Sequence, residues 1–195
     1  MTPVTRRRAL LGLGGLGLVL GSVAVFRKPY PSDQTPSGAY QRLARSFGED
    51  KVHEAFAYIE TEAQWACYSI RDARRDAVAM VRARYPEDRK REALAPIEEA
   101  GACADGSNIF ALYARTHGFR ARMRKDLSGV ASVDIAGERA TVITARGTRY
   151  PFRRRDNGIW GLTIFTAELL AEKDRATRDL GLIQKAADDY ARAGR

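Results

Sequence analysis

The stretch "VASVDIAGERATVITARGTRYPFRRRDNGIWGLTIF", residues 130–165, decides the fold of this chain. From Gly129 onward, apolar and polar residues alternate with a period of two, which is the spacing of a strand with one buried face. The letters "AGE" and "RGT" separate the first three runs, and Asn157-Gly158 separates the last two. Asn-Gly between alternating runs is a strong signal for a tight hairpin. The stretch therefore predicts a four-strand antiparallel meander.

Helices are expected before the meander, because the apolar residues between residues 37 and 118 follow helical spacing. We expect Ser37 to cap the first of these helices. Asp72 is expected to begin a separate helix in the middle of this region. Ser107 is expected to cap the last one, which Gly118 ends.

A long helix follows the meander, with Thr166 as its cap and its end at about Arg192. It carries an apolar stripe that predicts either a coiled-coil seam for a protein partner or a face that lies on the parent domain. The stripe consists of Leu169, Ala176, Leu180, Ile183, Ala187 and Tyr190. The fold class is therefore α+β: N-terminal helices packed on a four-strand antiparallel meander, followed by a long C-terminal helix. Residues 39–195 are expected to form a single domain.

Residues 1–28 predict an export signal or a membrane anchor. Arginines at positions 6 to 8 precede an uncharged run, residues 9–26, that is built mainly from Leu, Gly, Val and Ala. This arrangement resembles the twin-arginine export signal, and general secretion is the alternative. The residues that carry the resemblance are Arg7, Arg8, Leu10 and Leu11.

The sequence leaves open whether this segment is removed. Ser22-Val23-Ala24 has the small-x-small pattern of a cleavage site, but apolar residues follow it. If uncleaved, residues 9–26 form a helix of about 27 Å, close to the roughly 30 Å hydrocarbon layer, and anchor the chain. The arginines before the run place the remainder in the periplasm or on the outer face of the cytoplasmic membrane of a bacterium. Residues 29–38, rich in proline and small polar residues, predict a linker.

The charge of the chain argues against a nucleic-acid partner once this segment is set aside. Five of the 33 basic residues and none of the 24 acidic ones lie in residues 1–28, so the remainder carries a net charge of +4. A strongly basic domain is what nucleic-acid binding would require. We therefore expect no nucleic acid among the partners.

The two cysteines, Cys67 and Cys103, allow two interpretations. In an oxidising compartment they can form a disulfide, and otherwise each is a small apolar side chain buried separately. Their spacing, together with the two distant histidines, does not match a zinc site, so we expect no metal.

We expect no catalytic residue and no cofactor. The phosphate-binding, dinucleotide-binding and nucleophile-elbow motifs are absent from the sequence. His53 can pair with Glu49 on an exposed helix face, and His117 is expected at a helix C-terminus, where the helix dipole favours a cation. Arg153-Arg154-Arg155 predicts either a solvated hairpin tip or a contact with lipid phosphates.

Helices followed by a twisted antiparallel sheet, with an Asn-Gly hairpin and Trp160 in the next strand, resemble the cone fold of nuclear transport factor 2 and the polyketide cyclases. The resemblance covers residues 37–165 and rests on pattern alone. It implies a ligand pocket between the concave sheet face and the helices. In enzymes of that fold, a buried His/Asp pair commonly transfers protons.

Together these observations favour an exported or membrane-anchored envelope protein with a non-enzymatic binding or interaction domain. A small cone-fold enzyme of polyketide-cyclase type is one alternative, and a subunit of a membrane complex is another. The C-terminal helix is the expected surface for a protein partner.

Overall fold

The computed structural model describes residues 31–193, so the predictions for residues 1–28 lie outside the described residues. From Ser32 onward the chain forms one compact unit. The helices are α1 (Pro36–Gly48), α2 (Val52–Ala55), α3 (Thr61–Arg84), α4 (Glu87–Leu94), α5 (Glu98–Gly101), α6 (Gly106–Thr116), α7 (Phe119–Asp126) and α8 (Thr166–Ala193). The strands are β1 (Val130–Ala136), β2 (Arg139–Thr144), β3 (Arg149–Arg154) and β4 (Trp160–Leu162). None of these helices is both long and apolar enough to cross a membrane.

The predicted α+β fold class is confirmed. The four strands form one antiparallel sheet in the order β1-β2-β3-β4, and the long C-terminal helix α8 follows it. Gly158 in the Asn-Gly hairpin has a φ of 82°, a conformation that residues with a Cβ rarely adopt. In the described residues β1 pairs on one side only, and a bulge interrupts its register between Val130 and Ser132.

The inner face of the sheet packs on α1 and forms the main core. Tyr40 of α1 lies 5.2 Å from Tyr150 of β3, measured between ring centroids, and its hydroxyl donates to the carbonyl of Ser128. An aromatic cluster continues the core toward α6 and α7, with Phe119 stacked on Phe165 at 4.5 Å.

The apolar stripe of α8 lies on α3 of the same chain, as the second interpretation of that stripe predicts. Ala176 and Ala187 are fully buried, and Ile183 packs against the smaller core cluster around Val81. Tyr85 fixes the far end, because its hydroxyl donates to the carbonyl of Ile183 at 3.2 Å. The stripe is therefore covered within the domain, and a protein partner would have to use another face of the helix.

The starts of several helices differ from the predictions. Thr35, not Ser37, caps α1, because Pro36 takes the first helical position and the Thr35 hydroxyl accepts from the amide of Gly38. Asp105 caps α6 in place of Ser107. Its carboxylate accepts from the amide of Asn108, whose side chain accepts in return from the amide of Asp105.

Asp72 does not begin a helix, because α3 runs without interruption from Thr61 to Arg84. The Asp72 carboxylate accepts hydrogen bonds from Arg71 and Arg75 instead of capping backbone amides. An acidic residue inside a helix can otherwise hydrogen-bond to nearby backbone amides and so favour a helix start. Here the ion pairs with the two arginines occupy the carboxylate, and the helix continues.

The segment before α3 covers the edge of β4. Ile59 makes an isolated parallel bridge with Leu162, and the amide of Glu60 donates to the carbonyl of Leu162 at 3.1 Å. This close approach requires glycine at position 161, because a Cβ there would lie 2.6 Å from the Glu60 backbone. The N-terminal helices and the sheet are joined at this point.

Candidate functional site

A cleft of about 610 Å³ lies among α3, α4, α5, α6 and α8. Its position differs from the one that the cone resemblance implies, because only helices and the loops between them line it. Apolar and charged side chains both line it, and α8 contributes residues of both kinds. The apolar lining residues include Ala93, Ile97, Ala100, Leu112, Leu182 and Ile183. Leu182 at the rim is 67% exposed, which is unusual for a side chain of this size.

Arg74 is a buried charge that lines the cleft. It projects from the middle of α3, and its Nη1 donates to Oδ2 of Asp179 on α8 at 2.6 Å. Tyr113 of α6 lies beside it in the cleft. Burial raises the pKa of the Tyr113 hydroxyl, and the neighbouring Arg74 opposes that rise. The guanidinium therefore has both a carboxylate and a phenol as neighbours, as a buried cation needs.

Glu172 is the second buried charge of the cleft. Its Oε1 lies 3.3 Å from Nε2 of His117 and 3.2 Å from Nη1 of Arg175. Glu172 lies two turns before Asp179 on α8, so both carboxylates face the cleft about 10 Å apart along the helix axis. Each carboxylate is compensated by at least one basic side chain within the domain.

His117 has no nitrogen open to a substrate in this arrangement. Its Nδ1 lies 3.0 Å from the Thr116 hydroxyl oxygen, whose own proton is donated to the carbonyl of Leu112. Its Nε2 faces the Glu172 carboxylate. A general base needs a free lone pair within reach of the proton that it abstracts. The geometry therefore favours a positioning role for His117 over proton transfer.

His117 lies where the sequence predicts it, at the C-terminal cap of α6 and before the left-handed Gly118. His53 is exposed, and it does not pair with Glu49 in the structure. The Glu49 carboxylate binds Arg45 and Lys51 instead, and these hydrogen bonds hold its pKa below the usual value. Within residues 31–193 there is no cluster of three His, Cys, Asp or Glu side chains that can hold a metal ion.

Both cysteines are free thiols in the structure. Cys67 is fully buried in the core, and this burial raises the pKa of its thiol to about 12. Cys103 is half-buried, and its Sγ donates to the carbonyl of Glu99 at 3.6 Å. A disulfide between them remains a prediction for an oxidising compartment.

The three arginines at the hairpin do not act together. Arg155 is bound internally, because its guanidinium donates to the carbonyl of Ala57 and to Oε1 of Gln64. Burial lowers the pKa of this guanidinium from its ordinary value. Arg153 and Arg154 are exposed, and neither forms an ion pair with another residue of the described part of the chain.

The sequence contains a signal for the charged residues of the cleft. The description of α8 as carrying an apolar stripe did not use that signal. Glu172 and Asp179 lie three positions after Leu169 and Ala176, on the stripe that packs against α3. Charged residues at such positions are seldom buried unless they are paired. They indicate basic partners on the facing helix, of which Arg74 is one.

Comparisons of this chain with protein-family models, with curated proteins and with solved structures give no match.

Proposed function

We propose that this chain is a non-enzymatic binding domain of the bacterial envelope, whose cleft holds a small molecule with an apolar body and one polar end. The observation that carries this proposal is a lining that combines apolar side chains with internally compensated charges. Ligand pockets are commonly lined in this way, with apolar side chains for contact area and a few polar groups for orientation. The exposed Leu182 at the rim gains a contact when such a ligand binds.

The polar end of the ligand is expected to donate hydrogen bonds. Glu172 uses Oε1 for His117 and Arg175, and Asp179 uses Oδ2 for Arg74. Among the described residues, no hydrogen bond reaches the second oxygen of either carboxylate. These two oxygens are acceptors, so an ammonium or a hydroxyl group fits the cleft better than a carboxylate does.

A matched series of probes tests this assignment: 2-phenylethylamine, 2-phenylethanol and phenylacetate share one apolar body and differ in the polar end. Backbone amide shifts of Leu112, Tyr113 and His117 in ¹H–¹⁵N spectra report on the cleft. We expect saturable shifts with the amine and the alcohol and weaker shifts with the carboxylate. Absence of saturable shifts with all three probes contradicts the proposal.

The position of the cleft can be checked by filling it. Ala93 lines the cleft and is half-buried, whereas Ala95, two residues later, is exposed and does not line it. Ala93→Trp is expected to abolish binding of the amine probe, and Ala95→Trp is the matched control that should retain it. Equal loss in both variants would mean that the probe binds elsewhere or that α4 has been disturbed.

The proposal places the domain outside the cytoplasm, with residues 9–26 contacting the membrane if they are not removed. Support comes from the arginines ahead of the uncharged run. Fusion of a reporter that is active only in the cytoplasm after Arg195 tests export, because activity of that reporter contradicts it. Mass spectrometry of the native N-terminus shows whether the chain is cut after Ala24.

A second candidate is a small enzyme of polyketide-cyclase type, for which the His117–Glu172 pair would supply the proton transfer. Such an enzyme would need one imidazole nitrogen to turn from its present partner toward a substrate. His117→Gln tests this candidate through turnover alone: an enzyme loses turnover in the variant, whereas a binding domain has no turnover in either chain, and both keep most of their affinity for the amine probe.

A further inference from the structure

A second groove, of about 390 Å³, lies on another part of the domain, between the first turns of α3 and the end of the sheet. We call it the Trp65 groove. Its lining includes Glu62 and Trp65 from α3, Glu138 from the β1–β2 turn, and Arg153 and Arg154 from β3. Trp65 is 65% exposed there, although tryptophan is the side chain that gains most from being covered.

The Trp65 groove carries unpaired charges of both signs, and Asp156 at the hairpin is a further carboxylate of its lining. Glu62, Glu138, Arg153 and Arg154 form no ion pair within 4.0 Å with any residue between 31 and 193. Arg153 lies directly opposite Arg139 in the sheet register, and like charges in such cross-strand pairs repel. A ligand that brings an anion to the arginines and a cation to the glutamates satisfies both sets at once.

The aromatic side chains of α3 fit the cationic part of such a ligand. Trp65 lies 6.0 Å from Tyr68 between ring centroids, and Arg71 already rests over the Tyr68 ring at 5.8 Å. Tryptophan faces attract ammonium groups, and tryptophan and tyrosine concentrate where a protein meets the headgroup layer of a membrane. A phosphate and an ammonium in one small group are what a zwitterionic phospholipid headgroup offers.

The first described residues lie at the same end of the domain as the Trp65 groove. The backbone amide of Trp160 donates to the carbonyl of Asp33, and its indole Nε1 donates to the carbonyl of Gln34. The chain therefore enters the compact unit beside the β3–β4 hairpin. The residues from Phe26 to Asp33 can span at most about 25 Å when fully extended.

We propose that the Trp65 groove binds the zwitterionic headgroups of a phospholipid bilayer, with phosphate at Arg153 and Arg154 and ammonium at Trp65, Glu62 and Glu138. This inference rests on the proposed location at the membrane, and it concerns a surface distinct from the cleft. Within residues 31–193, the unpaired charges of the groove are two cations, Arg153 and Arg154, and three carboxylates, Glu62, Glu138 and Asp156. They favour phosphatidylethanolamine over anionic lipids, because the carboxylates repel an excess of anions.

The full chain, reconstituted into vesicles that carry brominated acyl chains, provides the test. The sequence contains two tryptophans, and Trp160 is buried, so the emission lost in Trp65→Phe is that of Trp65. We expect quenching of Trp65 in phosphatidylethanolamine–phosphatidylcholine vesicles and at least twofold less in vesicles of phosphatidylglycerol. Quenching that is equal in both, or absent from both, overturns the proposal.

Charge variants test the assignment of each side of the groove. Arg153→Gln with Arg154→Gln is expected to lower the docking equilibrium constant by roughly tenfold or more, because charge-assisted hydrogen bonds to phosphate are lost. Arg178→Gln with Lys185→Gln, which removes two exposed cations of α8, is the matched control and should leave quenching unchanged. Glu62→Gln with Glu138→Gln is expected to shift the preference from zwitterionic to anionic lipid. If this double substitution leaves the lipid preference unchanged, the two glutamates do not bind the ammonium and the proposal is wrong.

The same samples separate this proposal from the proposed location. Sedimentation with vesicles measures attachment through the N-terminal segment, and quenching of Trp65 measures contact of the groove with lipid. A chain that sediments with unquenched Trp65 contradicts only the groove assignment. A chain that does not sediment contradicts the membrane location, and glycerophosphoethanolamine must then still shift the Trp65 emission for the groove assignment to stand. The groove assignment is also overturned if a single-stranded oligonucleotide changes the emission of Trp65 and lipid does not.

Discussion

Nη1 of Arg74 lies 2.6 Å from Oδ2 of Asp179, and this hydrogen bond joins the two longest helices, α3 and α8, at the wall of the cleft. The two partners differ in burial: the Arg74 side chain is 7% exposed and the Asp179 side chain 37%. If the bond is broken, water can reach the carboxylate more easily than it reaches the guanidinium. Removing Asp179 should therefore lower the stability of the domain more than removing Arg74 does.

Asp179→Ala is expected to lower the free energy of unfolding by about 2–4 kcal/mol, because it leaves Arg74 buried without its carboxylate. Arg74→Met should cost at least about 1 kcal/mol less, since methionine fills the space of the stem and Asp179 becomes hydrated. Urea unfolding measures both values. Asp188→Ala breaks the exposed Arg84–Asp188 pair between the same helices, and as a control it should cost less than about 1 kcal/mol. Equal losses for Asp179→Ala and Asp188→Ala would contradict the role of burial.

Two glycines should respond in opposite directions to the same substitution. A Cβ at position 161 would lie 2.6 Å from the Glu60 backbone, so Gly161→Ala is expected to destabilise the domain by about 2–3 kcal/mol. Gly181 lies in the middle of α8, and a Cβ added there would meet open space, so Gly181→Ala should stabilise the domain by about 0.5–1 kcal/mol. Thermal unfolding of both variants checks the sign. A neutral Gly161→Ala would mean that the Ile59–Leu162 bridge is not formed.

The two thiols are expected to differ in their rates of reaction with a disulfide reagent. Thiolates are the reactive form, and burial raises the pKa of Cys67 to about 12. In the folded protein the half-buried Cys103 should react slowly and Cys67 should not react until the protein unfolds. Cys103→Ser removes the reaction of the folded state and leaves that of the unfolded state. If neither thiol reacts after unfolding without a reductant, and the mass is lower by two hydrogens, the disulfide has formed.

Stability is expected to fall at alkaline pH because of two buried groups. Burial raises the pKa of Tyr150 from 10.0 to about 12, with contributions from Tyr40 and Asp126, and that of Cys67 from 9.0 to about 12. These groups ionise in the unfolded chain before they do so in the folded one, so the unfolded state binds fewer protons. Their contribution is complete below the unfolded pKa values and is lost as pH rises from about 9 toward 12.

Tyr150→Phe tests this pH dependence. The variant cannot ionise at position 150, so its free energy of unfolding should fall less steeply above a pH of about 10 than that of the unchanged chain. Near neutral pH the difference between the two chains should stay constant. Urea unfolding at several pH values gives the comparison. Parallel curves throughout the alkaline range would show that Tyr150 is not buried against Tyr40.

The sheet and the last helix were predictable from the sequence because their signals are local. The period of two and the Asn157-Gly158 turn depend only on neighbouring residues, and so does the stripe that begins at Leu169. The exact caps were harder to predict, since Thr35 and Ser37 compete for the same helix end. That competition is decided by Pro36, which fits the first helical position and leaves Thr35 as the cap.

The cleft was not predictable in the same way, because it depends on which helices pack together. Arg74 and Asp179 lie far apart in the chain, and only the packing of α3 on α8 brings them into contact. The sequence shows that Glu172 and Asp179 interrupt an apolar stripe, but it does not name their partners. His117 was predicted at a helix end, and its contact with Glu172 adds a role that local sequence does not specify.

The unpaired edge of β1 bears on whether this domain aggregates in concentrated solution. No other strand of the described residues pairs with that side, so its amides and carbonyls offer a template on which a strand of a second molecule can align. Ile135 is exposed on this strand, while the bulge near Val130 and the charge of Asp134 oppose such alignment. Loss of the Asp134 charge is therefore expected to promote aggregation without lowering the stability of the single molecule.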